Sequence, residues 1–178
     1  MAVRYSTPIP NVSLRFAVAA DVRLVLELIR ELAQFENLQD QVIADESTLT
    51  EQLFGSRRVA EVVIAELGSE AVGFAVFFHN FSTFVGRAGL YLEDLYVRPC
   101  ARRRGIGRAL IAFVANVAVD RKCGRFEWSV LDWNTHAIDF YRSLGAVAMD
   151  QWTVQRVTGA ALERLGSRNY PSIEHAEP

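Results

Sequence analysis

The sequence has few of the residues and patterns that mark several classes of protein. Its 178 residues include only two cysteines, three histidines and five prolines. Neither Cys100 nor Cys123 has a cysteine or histidine at metal-ligand spacing, which argues against a zinc site and against a disulfide framework. We therefore expect no metal, and two isolated thiols are typical of a reducing compartment such as the cytoplasm.

Long apolar runs and an excess of either charge are also missing. No apolar run is long enough to cross a bilayer, and the segment before Val12 lacks the apolar stretch of a secretory signal, so we expect no membrane partner. The 19 basic and 21 acidic residues give a net charge of −2, which is no reason to expect nucleic acid as a partner. The apolar fraction of 51% is typical of a globular protein.

The two ends of the chain are expected to be less ordered than the middle. Residues 1–11 include Pro8 and Pro10 and are predicted to form a flexible leader, and the polar residues 166–178 a flexible tail. The length suits one domain, which we place at residues 12–165.

Apolar periodicity predicts the order of strands and helices along the chain. Strands are expected at residues 12–18, 59–67, 71–79, 90–97, 126–131 and 146–157. Helices are expected from Asp21 to about Phe35, at 46–54, from Ile106 to about Lys122, and from a Thr135 cap to Gly145. Antiparallel strands followed by a strand-helix-strand-helix-strand unit predict an α+β fold, one mixed sheet flanked by helices, with a right-handed parallel crossover.

The segment from Arg98 to Gly107 leaves the fourth predicted strand and enters the third predicted helix. Gly105 and Gly107 let the backbone approach a ligand, and the free N–H groups at a helix start attract anions. Fixed positive charge suited to phosphate comes from Arg102, Arg103, Arg104 and Arg108. The segment therefore favours a phosphorylated cofactor.

Two other glycine motifs are excluded by the residues that follow this segment. No Gly-Lys-Ser/Thr follows, so it is not a P-loop, and Leu110 replaces the third glycine of a dinucleotide fingerprint. An exposed basic loop with a glycine-softened helix start remains an alternative.

Arg102-x-x-Gly105-x-Gly107 resembles the pyrophosphate-binding motif of the GNAT superfamily of N-acetyltransferases, which lies between the fourth strand and the third helix. A strand followed by Trp133-Asn134, then a helix with Phe140-Tyr141 and Gly145-Ala146, is similar to the same family, and the resemblance covers roughly residues 14–157. It implies a mainly antiparallel twisted sheet, acetyl-coenzyme A as cosubstrate and a homodimer.

Within that superfamily the chain resembles the diamine (spermidine/spermine) acetyltransferases and their thialysine branch. The matching segments are Leu28–Ala33, Asp40–Val42, Tyr91–Asp94, Val130–Asn134 and Phe140–Arg142. Phe81–Phe84 lacks the acid of the polyamine branch, so we expect a small primary amine such as thialysine or a lysine analogue, with diamines secondary. A polyamine acceptor is the alternative.

The chemistry of acetyl transfer suggests roles for a few residues. An alkyl ammonium must lose a proton before it attacks, and the Glu93 carboxylate can take that proton directly or through water. We interpret its neighbour Asp94 as structural. A backbone N–H near Leu95 can stabilise the oxyanion, and Tyr141 can protonate the departing sulfur unless it is only a core aromatic. The transfer is expected to be direct, through a ternary complex.

The resemblance also assigns residues to two binding sites. The expected cofactor residues are Leu95, Tyr96, Val97, Arg102, Arg103, Arg104, Gly105, Ile106, Gly107, Arg108 and Asn134. Asn134 would bond the pantetheine arm or, alternatively, cap the next helix. The expected substrate residues are Phe35, Glu36, Glu93, Glu127 and Trp128, although each acid is also a candidate for the solvated surface.

Three rival functions remain. A protein acetyltransferase acting on lysine or an N-terminus would need an open groove rather than a closed acidic pocket. A silent coenzyme A-binding regulator would not need Glu93 and Tyr141, and both are present. A nucleic-acid binder is the weakest reading, given the acidic balance of charge.

Overall fold

We describe residues 2–167 in a computed structural model of the chain. The contacts divide the chain into two compact units, Met1–Ser129 and Val130–Pro178, which we treat separately. Most of the predicted C-terminal tail lies outside the described residues. Within the described part, no helix is both long and apolar enough to cross a membrane.

The first unit contains a six-stranded sheet whose strands are neighbours in chain order. The strands are β1 (Tyr5–Ser6), β2 (Val12–Phe16), β3 (Glu61–Leu67), β4 (Glu70–Ser82), β5 (Arg87–Val97) and β6 (Phe126–Trp128). All neighbouring pairs are antiparallel except β5 and β6, which are parallel. The predicted α+β fold with a mixed, mainly antiparallel sheet is therefore confirmed, as is the parallel crossover.

Helices in the first unit are α1 (Val22–Glu36), α2 (Glu46–Phe54) and α3 (Ile106–Asp120). The second unit contains α4 (Thr135–Arg142) and α5 (Gly159–Gly166). Asp45 caps α2 by accepting a hydrogen bond from the Thr48 N–H at 2.7 Å. The predicted bounds of α1, α2 and α3 agree with the observed ones to within about two residues, as is usual for helix ends.

Different helices cover the two faces of the sheet. One face packs against α1 and α2 through a buried cluster formed by Val25, Leu28, Leu32, Leu53, Val62, Ile64, Phe74, Val76 and Tyr96. On the other face, the Phe16 ring lies 6.4 Å from Phe77 and 5.7 Å from Phe113 of α3, between ring centroids. Side chains alternate along a strand, so α1 and α3 lie on opposite sides of the sheet.

The beginning of the chain differs from the expected flexible leader. Tyr5 pairs with Leu14 and Ser6 with Ser13, which adds β1 to the edge of the sheet. The Tyr5 ring also lies 4.9 Å from the ring of Phe113, between centroids. The prolines suggested a loose segment. The strand pairing with β2 and the ring contact with Phe113 are tertiary contacts that the local sequence does not show.

The described residues from 126 onward differ more from the prediction. The strand expected at residues 126–131 ends at Trp128, and the expected strand at 146–157 is wrong, because those described residues form turns and irregular backbone. Val147 and Val154 are 84% and 78% exposed, so an alternating apolar pattern does not make a strand when no neighbouring strand completes its hydrogen bonds. Helix α5 was not predicted.

A buried charge network holds the first three strands together. The Glu66 carboxylate accepts hydrogen bonds from Nε of Arg4 and Nε of Arg15, each at 2.8 Å. Arg15 also forms a two-point contact with Asp21, at 2.7 and 2.9 Å. Burial alone would raise the pKa of Glu66 and of Asp21, but these bonds outweigh it and both pKa values lie below the ordinary range.

Replacing Glu66 by glutamine should lower the free energy of unfolding by about 3 kcal/mol near neutral pH, because Arg15 loses a buried charged partner. The stabilisation from carboxylates with lowered pKa is present above their ordinary values, 3.8 for Asp21 and 4.5 for Glu66, and is lost as the pH falls. The gap between variant and wild type should therefore narrow by about pH 3, as measured by urea unfolding.

Glu70→Gln is the matched control, since Glu70 is exposed at the turn between β3 and β4. Its unfolding free energy should stay within about 0.5 kcal/mol of wild type. Equal losses in the two variants, or a Glu66→Gln loss that does not depend on pH, would contradict the role of the network.

Candidate active site

A β-bulge interrupts the pairing of β5 with β4. Asp94 pairs with Val76, but the next β4 residue, Phe77, pairs with Leu92, so Glu93 is the extra residue on β5. A bulge bends its strand and redirects the side chains beside it. Glu93, the predicted proton acceptor, is exposed, whereas its neighbour Asp94 is half-buried.

From the bulge onward, β5 has a strand neighbour on one side only. The parallel ladder with β6 covers Leu90–Leu92, and no described strand continues it along Glu93–Val97. On the β4 side, the Arg98 N–H donates to the Val72 carbonyl at 2.8 Å. Antiparallel hydrogen bonds alternate, so the N–H groups of Leu95 and Val97 point away from β4, towards the open edge. The Leu95 N–H is therefore oriented as an oxyanion donor requires.

Beside this edge, the charges of two carboxylates, Glu93 and Glu36, act on the carboxyl group of Asp94. Asp94 lies two residues from Tyr96 and so on the same face of the sheet, towards α1, which ends at Glu36. Burial first, and then the negative charges of Glu93 and Glu36, together raise the pKa of Asp94 to about 7. Burial also raises the pKa of Glu36. The predicted Glu36 and Glu93 thus both lie within electrostatic range of Asp94.

Asp94 is the functional candidate that the sequence analysis missed. Two adjacent acids on a strand point to opposite faces, which indicated that one of them faces inward but not which one. The position of the bulge and the packing of α1 decide it, and neither is visible in the local sequence.

The segment Arg98–Gly107 ends in a helix start of the expected kind. Gly105 precedes α3 at φ 83°, a left-handed conformation that favours glycine. Ile106 and Gly107 stand in the first helical turn, where N–H groups have no acceptor within the helix. A Cβ on Gly107 would meet only the Val97 Cγ2 atom, at 3.9 Å, so the first turn has room beside it.

The four arginines predicted to bind the cofactor, Arg102, Arg103, Arg104 and Arg108, divide into two groups. Arg103, Arg104 and Arg108 are exposed and give the helix start its positive surface. Arg102 is half-buried: its Nε donates to the Val97 carbonyl at 2.8 Å, and its guanidinium carbon lies 4.5 Å from the centroid of the Phe35 ring. Arg102 thus faces α1, a contact that the motif did not predict.

The predicted substrate residues on β6 have a different environment. The Glu127 carboxylate pairs with Nε of Arg125 at 2.8 Å and accepts from the Asn80 amide at 2.9 Å. Its charge is already balanced, which makes it a weaker attractant for a cation than Glu36 or Glu93. The Trp128 ring lies 5.0 Å from the Phe126 ring, between centroids.

Two predicted site residues belong to the second unit. The Asn134 side chain accepts a hydrogen bond from the Ala137 N–H at 3.3 Å, so Asn134 caps α4 in place of the expected Thr135. The half-buried Tyr141 ring lies 5.3 Å from the Phe140 ring, between centroids. The cofactor contact of Asn134 and the acid role of Tyr141 stay predictions.

Comparison with known proteins gives the family. The profile of the Acetyltransferase (GNAT) family matches residues 26–146. Thialysine N-epsilon-acetyltransferase of Sus scrofa is 38% identical over 169 residues, covering 89% of this chain and 99% of its own length. L-ornithine N5-acetyltransferase of Arabidopsis thaliana is 30% identical, with 88% of each chain covered.

A solved structure has a similar fold. An integron cassette protein from the mobile metagenome of V. cholerae superposes with a TM-score of 0.72 at 26% identity, over 88% of this chain and 98% of that one. The resemblance drawn from the Arg102–Gly107 motif is thereby confirmed, and the chain belongs to the GNAT family of acetyltransferases and is an N-acetyltransferase.

Proposed function

We propose that this enzyme transfers the acetyl group of acetyl-coenzyme A directly to a small primary amine within a ternary complex. One observation carries the proposal: the carboxyl groups of Glu36, Glu93 and Asp94 adjoin the open edge of β5, and that strand leads into the basic helix start at Arg98–Gly107. A strand that links an acidic region to a phosphate-binding region suits an amine acceptor and a phosphorylated donor.

The residues present fit acetyl-coenzyme A, which supplies an activated thioester when it is bound. The N–H groups of Ile106 and Gly107, with Arg103, Arg104 and Arg108, would hold its phosphates at the start of α3. The N–H groups of Leu95 and Val97 face the open edge, where amide and carbonyl groups of an extended ligand need partners. We assign Leu95 N–H to the acetyl oxygen, where negative charge develops.

We assign proton removal from the amine to Glu93 and Asp94 together. Exposed Glu93 attracts the ammonium, and Asp94, with a pKa of about 7, is suited to accept a proton near neutral pH. Tyr141 is proposed to return a proton to the departing sulfur, a role supported by its place after Trp133-Asn134.

The acceptor is proposed to be the side-chain amine of an amino acid. The names of two relatives describe such amines, thialysine and L-ornithine. The end of β4 and the turn that follows it, residues 81–86, include no acid, so a second distant cation of a polyamine would lack one partner. We also infer a cytoplasmic homodimer, on the family resemblance and on two free thiols, Cys100 and Cys123.

The acceptor can be tested with a panel of amines under one set of conditions. We expect kcat/KM for thialysine, lysine or ornithine to exceed that for spermidine by about tenfold or more, because each lost charge-assisted contact costs about 1.5–3 kcal/mol. Putrescine should fall between them. If spermidine has the highest kcat/KM of the panel, the enzyme is assigned to the polyamine branch instead. If only peptides are acetylated, the result favours a protein acceptor.

The cofactor site can be tested at the two glycines of the loop. Gly107→Ala should retain stability, since its Cβ meets only an ordinary contact, but should weaken binding of coenzyme A about tenfold by filling ligand space. Gly105→Ala should instead lower stability by about 1–2 kcal/mol, because residue 105 has φ 83°. Calorimetric titration and thermal unfolding separate the two effects. A folded Gly107→Ala protein with wild-type affinity would remove this loop from the cofactor site.

The proton acceptor can be tested by the pH dependence of turnover. In the wild type, kcat should rise with pH through about 7 as the Asp94 carboxyl deprotonates. Asp94→Asn should lower kcat by about 10²–10³-fold and remove this rise. Glu93→Gln should raise KM and move the rise to lower pH, since a neighbouring negative charge no longer raises the pKa of Asp94.

Asp120→Asn, an exposed change at the end of α3, is the control and should leave the profile unchanged. If the rise near neutral pH persists in Asp94→Asn, another group takes the proton, and Glu93 alone becomes the candidate.

A further inference from the structure

One face of α1 makes a continuous row of contacts with the end of β5 and the segment after it. Glu27, Glu31 and Phe35 follow one another at intervals of four residues and so share a face of the helix. Two arginines meet this face, Arg98 beside the two glutamates and Arg102 beside Phe35. Because Phe35 and Glu36 end α1, the row reaches the proposed amine site.

Arg98 fixes the middle of this row. Its Nη1 donates to the Ala71 carbonyl at 2.9 Å, and its Nη2 donates to Glu31 at 2.7 Å. Nε reaches both Glu31 oxygens at 3.1 Å, and Glu27 contacts Nη2 as well. A guanidinium with several charged acceptors is held in one orientation, so α1 is fixed against the start of β4 and the end of β5.

Arg102 extends the row to the end of the helix. Its guanidinium carbon lies 4.5 Å from the Phe35 centroid and 5.5 Å from the Tyr96 centroid, while its Nε holds the Val97 carbonyl at 2.8 Å. Tyr96 is only 6% exposed, and burial first, then the charge of Glu31, raises its pKa, with Arg102 acting in the opposite direction. The Tyr96 phenol therefore lies within electrostatic range of both Glu31 and Arg102.

We propose that Glu31, Phe35, Tyr96, Arg98 and Arg102, named here the α1 clamp, position the amine-binding end of α1 relative to the cofactor loop. Arg102 is a positioning residue in this arrangement, because it stacks on Phe35 and its Nε donates to the Val97 carbonyl. The inference rests on the proposed function, because it assigns Arg98–Gly107 to the cofactor and the end of α1 to the amine.

The clamp predicts that the affinities of the cofactor site and the amine site are coupled. A contact that holds the loop and the helix end together stabilises both binding sites at once, so occupancy of one site raises affinity at the other, and the effect is reciprocal. Loss of the Phe35 ring should therefore weaken binding of coenzyme A, although Phe35 is assigned to the amine. A ring that only touches the amine would not do this.

The first arm of the test measures the dissociation constant of coenzyme A by calorimetry, with no amine present. Phe35→Leu keeps apolar bulk but loses the aromatic face, and should weaken binding about two- to fivefold, the usual worth of a cation–π contact. Phe35→Tyr keeps the face and should restore wild-type affinity. Gln34→Ala, an exposed change one residue away on α1, is the matched control and should have no effect. Thermal unfolding confirms that each variant is folded.

The second arm tests the contact from the other side. Arg102→Lys keeps the charge but loses the planar stacking group, and should raise KM for the amine with little change in kcat. In the double variant that combines Arg102→Lys and Phe35→Leu, the loss of binding free energy for coenzyme A should be smaller than the sum of the losses in the two single variants. Both changes break the same contact. Additive losses, or an unchanged affinity in Phe35→Leu, would overturn the clamp.

The clamp and the proposed function fail in distinguishable ways. A wild type that binds coenzyme A but acetylates no amine on the panel defeats the proposed acceptor, and the calorimetric arm still decides the clamp. A wild type that does not bind coenzyme A overturns both. Normal acetylation with no coupling between residue 35 and the cofactor overturns the clamp alone.

Discussion

The short pairing of β5 with β6 is the constraint on which the candidate site depends. The parallel ladder covers Leu90–Leu92 and stops where the bulge at Glu93 begins. Backbone N–H and C=O groups that are not paired with a neighbouring strand need other hydrogen-bond partners. The Val97 carbonyl has one within the first unit, because it accepts a hydrogen bond from Arg102. The N–H groups of Leu95 and Val97 keep the same outward direction. A ligand with its own amides and carbonyls can complete the hydrogen bonding of this edge, and for that reason we propose it as the binding surface.

The two ends of this open edge have opposite charge, and burial makes the difference effective. At the bulge, Asp94 is kept partly out of water beside Glu93 and Glu36, which raises its pKa towards neutrality. Beyond Val97, the exposed arginines follow a left-handed Gly105 that turns the chain into α3. In the proposed reaction, the amine and the phosphorylated donor would thereby bind at different ends of one strand, with the Leu95 N–H between them. The chemistry follows from the order of residues along β5 once the bulge is in place.

Sequence reasoning succeeded where a property is local and failed where it depends on distant contacts. The Arg102–Gly107 motif and the periodicity of α1 and α3 are local, and they predicted the helix start and the family. The inward direction of Asp94 depends on the register of β4 with β5, and the inward direction of Arg102 on the packing of α1. The failed strand at 146–157 shows the same limit, because a strand exists only with a partner.

Pairing also separates the acids that can attract a cation from those that cannot. Glu127 has the residue type and approximate position expected of a substrate ligand, yet Arg125 and Asn80 already satisfy it. Glu31 is likewise paired with Arg98, and Glu66 with Arg4 and Arg15.

The directions of the carboxyl pKa shifts separate the same two groups of acids. The pKa of Glu66 is lowered by its arginines, whereas the pKa of Glu36 and of Asp94 is raised by burial. A raised carboxyl pKa means that the protein compensates the negative charge poorly, which supports the proposal that the ammonium attracted by Glu93 binds beside Glu36 and Asp94. The burial that makes these two carboxyl groups costly to ionise is therefore also the feature that supports their proposed role in binding an amine.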